Sequence, residues 1–420
     1  MSYDQKHPLA GKRIVVAGAG LAGLAFARAL VQQWPQGQPA PEIIIYERSS
    51  KTLDRSREGY TMGIKPESGL HALKQLGLLD TALRLSTTTA GGSQQPPTFW
   101  NKNWEIMLEI PPPPSSADGV TWNGIRLVRH VLRQILLDAL PAEVKVQWEV
   151  GCDSAQILDN GKARVSFSDG SEAECDLLVA ADGANSGIRH SLLPQEKLEF
   201  AGVNCFIGTS RFPSGKPEPL KNRWGSVVTG HGVPFLTFPI DQNSGVWATS
   251  YRGEKPRDRI KGEEALRRKD EIMDEVKQRC SMLQEPFGEF IEATDPATLQ
   301  VFSAQHKSPI NHSRALPGAN VIFIGDANHP MSPFSGMGAN SALLDAVELA
   351  KQLSSSSTIR EARDVFDSES APRSQAAIDR SRWVIWAFHS EGITFWLVRA
   401  LIGCASFLIW LKLLFKRPQH

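Results

Sequence analysis

The sequence predicts an α/β fold with an inserted β-rich domain and a C-terminal helical tail. Three observations predict it. Arg13–Glu47 reads as strand, glycine turn, helix and strand. From about Phe200 to Phe302, β-type pieces surround one charged helix before the first style returns. Finally, the run Gly392–Leu411 carries a single charge, Arg399.

The elements follow in order. "RIVVAGAG" (Arg13–Gly20) is a short apolar run ending in glycines, and "LAGLAFARALVQQW" carries a helical stripe of Leu21, Leu24, Ala25 and Leu30. "EIIIYE" (Glu42–Glu47) is the next buried strand, so the three pieces make a βαβ unit that opens a parallel sheet. "GLHALKQLGLLDTAL" and "RHVLRQILLDAL" read as helices, the second stopped by Pro141. Between them "QQPPTFWNKNWEIMLEIPPPP" mixes aromatic and aliphatic residues with turn breakers, as antiparallel strands and a loop do. "VKVQWEV", "ARVSFSDG" and "CDLLVAADG" are three more strands. "RWGSVVTG", "PFLTFPI" and "GVWATSY" surround the charged helix "KGEEALRRKDEIMDEVKQRC", and "NVIFIGDA" resumes the parallel style. A helix from Asn340 to Leu353 follows, then a short serine run, Ser354–Ser357, that suits a helix-end loop.

Length and composition narrow the function classes. At 420 residues two domains are expected, and 46 basic against 45 acidic side chains leave no electrostatic footprint for nucleic acid. The five cysteines are scattered with no CxxC pair, and no HExxH is present. A disulfide framework and a metal site are therefore not expected, and a reducing, intracellular, cytoplasmic setting is. The N-terminus has no apolar core of signal-peptide length.

Three glycine-bearing motifs carry the chemistry. "GAGLAG" places Gly18, Gly20 and Gly23 in a GxGxxG pattern between strand and helix. The first glycine permits the tight turn, the second lets a pyrophosphate approach the backbone, and the third lets helix and strand pack closely. Free N–H groups at the helix start favour a phosphate. Glu47, ending the next strand, can accept hydrogen bonds from ribose hydroxyls; Arg48 beside it is either a ligand contact or a solvated surface residue. "VAADGANSGIR" ends a strand in Asp182-Gly183, with Ser186 and Arg189 following; an Asp-Gly turn alone would also satisfy that pattern. In "IGDANHPMSPFSGMGANSALLDAVELA", Asp326 follows an apolar strand, where a short carboxylate can take a polyol hydroxyl. Pro333, Gly336 and Gly338 shape a loop, and the helix from Asn340 points its N-terminus at whatever that loop surrounds.

In this order, over about residues 12–350, the motifs resemble the class A flavoprotein monooxygenases, FAD enzymes with the para-hydroxybenzoate hydroxylase fold. The third motif is the most specific and reads especially like the tetracycline-degrading branch and related fungal-type enzymes. The family usually has alanine where Asn328 stands, while Asp326 and His329 are in place. The resemblance implies a Rossmann-type FAD-binding domain (1–80, 120–199, 303–380), an inserted β-rich substrate domain (81–119, 200–302) and a hydrophobic helical tail (381–420). By position, Glu47 would bind the adenosine ribose, Asp326 the ribityl chain, and Arg129 would reach the FAD. Asp182 and Arg189 match the motif used around the pyrophosphate and the passing nicotinamide. Arg223 aligns with a residue near flavin and substrate. The late loop would clear space for the isoalloxazine ring, and the following helix would aim its N–H groups at the pyrimidine side, stabilising anionic reduced flavin.

The activity so implied uses NAD(P)H and O2. A C4a-hydroperoxyflavin would hydroxylate or epoxidise an electron-rich aromatic or a polyketide- or terpenoid-type small molecule, with the cofactor carrying the chemistry. No acid–base triad is required and none is found. His231 and Tyr251 are candidate pocket residues, with an ordinary sheet position the alternative for each. A non-oxygenating flavin oxidoreductase of the same fold and a catalytically silent FAD-binding protein are the rival readings. For the tail, twenty residues at 1.5 Å rise would span about 30 Å. Its tryptophans, with Lys412, Lys416 and Arg417 following, leave three alternatives: a helix packed on the FAD domain, one lying on a membrane, or one crossing it.

Overall fold

The computed structural model describes residues 6–51, 61–87, 97–109, 124–221 and 223–415, with side chains up to Cys404. Gln94–Pro96 and Ile110–Pro114, the ends of one expected strand-and-loop stretch, lie outside the described residues, as do Lys416 and Arg417.

The first sheet is fully parallel, in the order Val321–Phe323, Leu177–Ala180, Arg13–Ala17, Glu42–Glu47, Lys145–Trp148. Ile14, Val15, Val16 and Ala17 in its central strand are completely buried. That is why the strand reads as a continuous apolar run: both faces are covered. Val15 sits in register with Leu178 on one side and Ile44 on the other. The helix Leu21–Gln33 covers one face and packs along the helix Gly338–Ser355. Small residues permit the close approach, since Ala22 and Ala342 flank Gly325 from the two helices. All carboxyl ends of this sheet's strands point to one edge, where ligands bind in open α/β sheets.

The second sheet has seven strands, ordered Thr294–His306, Glu199–Arg211, Ser244–Arg252, Phe235–Pro239, Trp224–Val227, Pro97–Trp100, Ile106–Glu109. Its core is aromatic, with Trp100, Phe206, Phe235, Trp247 and Phe290 buried. The charged helix lies against it through Ile272 and Val276, but it is broken into Glu263–Arg267 and Lys269–Arg279. A two-stranded sheet, Thr61–Ile64 with Ile125–Val128, stands beside it, linked by the Thr61 hydroxyl donating to the Pro239 carbonyl at 3.3 Å.

Several expected elements differ in detail. "ARVSFSDG" belongs to a separate antiparallel sheet with Cys152–Ile157 and Glu172–Cys175, strands whose polar alternation had no strong apolar signal. The late helix begins at Gly338 rather than Asn340, and it ends at Ser355 within the serine run. Thr358 then caps a long helix, Ile359–Phe388, accepting from the Glu361 N–H. The last helix is Gly392–Phe415. Its first turns pack beside the seven-stranded sheet, against the strand Ile106–Glu109, and a side chain at Gly230 would lie 2.9 Å from the Phe395 ring. Among the described residues no helix is long and apolar enough to cross a membrane.

Candidate cofactor site

The glycine turn shows three different constraints at its three glycines. Gly18 has φ +100°, and a Cβ there would stand 2.7 Å from the Ala181 carbonyl oxygen. A Cβ at Gly23 would stand 2.0 Å from the Gly18 carbonyl oxygen, so the helix can close onto the turn only without one. Around Gly20 there is nothing within 4 Å. The first and third glycines are thus fixed by packing, and the second faces open space at a helix N-terminus. This is the cradle a pyrophosphate needs.

The turn is held by charges on both its polar groups. Glu47 Oε2 accepts from the Ala19 N–H at 2.8 Å, while its Oε1 accepts from the Ser49 N–H at 2.9 Å. The buried Arg133 donates from Nε to the Ala19 carbonyl at 2.7 Å, its guanidinium lying over the Trp148 ring. Arg133 was not singled out from the sequence. Its signal was a cation four residues after Arg129 on an otherwise apolar helix face. Arg48 is exposed, with its Cβ against Gly151.

Asp182 follows the strand Leu177–Ala180 and stands next to the turn, its Cα 3.2 Å from where a Gly18 Cβ would be. Its Oδ2 accepts from the Ile188 N–H at 3.3 Å, and its Oδ1 is buried without a hydrogen-bond partner. Burial pushes this carboxyl above its ordinary range, against the pull of Ser186, the Ile188 N–H and Arg189. Arg189 points inward instead of toward a ligand. It is 5% exposed and donates to the carbonyls of Ala327, at 2.7 Å, and Ala184, so it clamps the second motif onto the third.

Asp326 sits in the turn Gly325–Ala327. Its surface is accessible, yet protein encloses it closely enough that desolvation raises its pKa, with His329 and Arg129 opposing. A Cβ on Gly338 would lie 3.8 Å from its Oδ1, which puts the carboxyl at the start of the helix Gly338–Ser355. Pro333 opens a short 3-10 turn, and Gly336 closes it at φ +62° with open space around it.

Two residues of this motif serve the protein itself. Asn340 is completely buried and spends its amide on protein: Oδ1 accepts from the N–H groups of Lys65 and Gly69, and Nδ2 donates to the carbonyls of Gly63 and Gly336. Its side chain braces the loop and has no group directed at a ligand. Asn328 accepts from the Ile310 N–H at 2.8 Å, a buried bond that alanine could not make.

Beneath the motif lies a buried ionic cluster. His329 meets Asp345 at 2.6 Å, and Asp345 also accepts from the Gly325 N–H, Ser370 and Arg373. Burial alone would raise the Asp345 carboxyl. His329, Arg373 and the Gly325 N–H together bring it down to about 2. The cluster anchors the Gly325–Ala327 turn to both late helices.

The three expected pocket residues have their contacts in the β-rich part. Arg223 pairs with Glu109 at 2.6 Å at the edge of the seven-stranded sheet. Tyr251 lies under Arg279, whose guanidinium is 3.4 Å from the ring centroid, and its hydroxyl accepts from Arg257. It belongs to the packing between sheet and charged helices. His231 is exposed and bridges to Glu391 beside the last helix. A residue the sequence reading passed over stands at the junction of the two parts. Arg126, buried between the Trp224 and Phe238 rings and donating to Thr61, has its pKa pushed by burial down to about 9.

The open space at Gly20, the partnerless Asp182 oxygen and the exposed Asp326 carboxyl all fit a dinucleotide carrying a polyol chain. The chain belongs to the FAD binding domain family, whose model matches residues 12–381. Within that family it is a class A FAD-dependent monooxygenase. It is 36% identical over 397 residues to Monooxygenase cfoF of Aspergillus candidus, covering 92% of this chain and 93% of that one. In fold it resembles Klebsiella pneumoniae HpxO complexed with FAD and uric acid, with a TM-score of 0.73 at 20% identity over 95% of this chain and 97% of that one. The tetracycline destructase Tet(51) gives 0.63 at 18% identity, over 95% and 98%.

Proposed function

We propose that this monooxygenase uses NAD(P)H and O2 to hydroxylate or epoxidise an electron-rich aromatic or a polyketide- or terpenoid-type small molecule. The observation that carries the reading is the exposed Asp326 carboxyl at the start of the helix Gly338–Ser355, where a Gly338 Cβ would lie 3.8 Å from its Oδ1. When bound, the flavin supplies reduction by the nicotinamide and transfer of one oxygen atom to the substrate.

The chain's own residues bind and orient. The N–H groups following Gly20 and the adjacent helix dipole hold the pyrophosphate. Glu47 keeps lone pairs for ribose hydroxyls after its two backbone bonds, since a carboxylate accepts up to about four. Asp326 takes a ribityl hydroxyl. Gly338 starts a helix whose positive end favours negative charge on the reduced ring. The substrate is a small molecule, in keeping with similar folds: HpxO is crystallised with uric acid and PqsL with 2-aminobenzoylacetate.

The test is product analysis under isotopically labelled O2 with NADH or NADPH and a panel of aromatic and polyketide compounds. One labelled oxygen atom in product supports the proposal. Nicotinamide oxidation with no oxygen entering product would instead select a non-oxygenating oxidoreductase, and retained FAD with no substrate-stimulated reduction a silent flavoprotein.

A further inference from the structure

The last helix contacts the protein along one narrow stripe. Phe395 lies against Gly230, Val398 is 3% exposed, and Ile402 faces the hairpin around Asn101 and Ile106. Their spacing, i, i+3 and i+7, is one face of an α-helix. A second stripe at the same period looks outward: Ile393, Trp396, Leu397 and Leu401 are 81%, 61%, 59% and 56% exposed. On the preceding helix Trp383 is 56% exposed as well. An outward apolar stripe of this size is unusual on a protein that meets only water.

The charges around that stripe identify what covers it. From Gly392 to His420 the sequence has Arg399, Lys412, Lys416 and Arg417 and no aspartate or glutamate. Arg399 stacks on the Trp396 ring, 5.3 Å from its centroid, so its stem lies along the apolar stripe with its charge at the edge. A second copy meeting this face across a two-fold axis would set cations against cations. A bilayer with anionic headgroups offers both apolar depth and opposite charge, and tryptophan suits the headgroup boundary. No described helix is apolar enough to cross.

We propose that the outward stripe Ile393–Trp396–Leu397–Leu401 docks the enzyme on an anionic lipid surface, with the helix lying in the interface and the basic chain end following it. The inference is independent of which small molecule the enzyme oxidises. It is tested by co-sedimenting the full-length FAD-loaded protein with phosphatidylcholine vesicles and with mixed phosphatidylcholine–phosphatidylglycerol vesicles. The expected result is binding to the mixed vesicles, weakened by raised salt. Trp396→Ser, Leu397→Ser and Leu401→Ser combined should lower binding by at least about tenfold with FAD content unchanged, since the three side chains are exposed. Lys412→Ser, Lys416→Ser and Arg417→Ser combined should lower it too and remove the preference for anionic vesicles. This second variant keeps the test intact should the first retain less FAD. Wild-type protein staying in the supernatant with both vesicles overturns the proposal. So does a light-scattering dimer that the apolar substitutions dissolve, which would make a second copy the occupant. Binding that only detergent reverses would mean insertion and overturn the surface mode.

Discussion

Arg133 and Ala19 are joined by a 2.7 Å hydrogen bond from the guanidinium to the backbone carbonyl, tying the helix Arg129–Asp138 to the glycine turn. The opposite polar group of the same peptide segment, the Ala19 N–H, is held by Glu47. A turn fixed at both its donor and its acceptor keeps one shape before any ligand arrives. Arg133→Met keeps the aliphatic stem but leaves a buried carbonyl unpaired, at a cost of about 1–3 kcal/mol. Thermal unfolding of FAD-free protein should show that loss, and FAD titration a weaker complex.

Glu47→Ala should act on both states of the protein. Two backbone N–H groups lose their acceptor in the FAD-free fold, and the ribose loses a partner in the complex. A hydrogen bond to a charged group is worth ~1.5–3 kcal/mol, so FAD affinity should fall roughly ten- to hundredfold. Fluorescence titration with FAD measures the second effect and melting of the FAD-free protein the first.

The glycines separate folding from binding. Gly20→Ala adds a methyl where nothing lies within 4 Å, so melting without FAD should change by less than ~0.5 kcal/mol while FAD binding weakens. Gly23→Ala meets the Gly18 carbonyl at 2.0 Å and should destabilise the fold itself by roughly 1–3 kcal/mol or more. Equal effects of the two on FAD-free stability would mean that the open space at Gly20 is not a ligand cradle.

Much of this was legible in the residues. The βαβ opening was readable because a parallel strand buried on both faces must be apolar throughout, as Ile14–Ala17 are. The packing demands at Gly18 and Gly23 were readable because only glycine meets them; a side chain at Gly20 would meet nothing within 4 Å. Side-chain direction was not. Arg189 sits in a ligand-binding motif yet turns inward to two carbonyls, and Tyr251 packs beneath Arg279 because the face of its strand that it occupies meets the charged helices. Asn340 reads as the start of a helix aimed at the loop, and its spacing could not show that its buried amide braces that loop through backbone groups. For the last helix, apolar residues on nearly every face gave the sequence no way to tell the packed stripe from the outward one.

The Asp345 cluster predicts an acid-sensitive fold. Its carboxyl is held down from an ordinary 3.8 to about 2, so its contribution is present above about pH 4 and is lost as pH falls through the folded value. A shift of nearly two pKa units corresponds to about 2.5 kcal/mol. Wild-type stability should therefore drop more steeply between about pH 4 and 2 than that of Asp345→Asn. At neutral pH the variant should be less stable by roughly 3–5 kcal/mol, because Arg373 loses its buried counter-charge. Denaturant melts across pH distinguish the two.

The proposed role of Asp326 is to hold the flavin's ribityl chain and not to move protons. Its most direct test is flavin occupancy and turnover per bound flavin, measured together on wild type and Asp326→Ala. The account predicts that heat releases FAD from the wild type, that Asp326→Ala retains much less of it, and that each FAD still bound turns over at close to the wild-type rate. Full FAD occupancy with turnover abolished would contradict it.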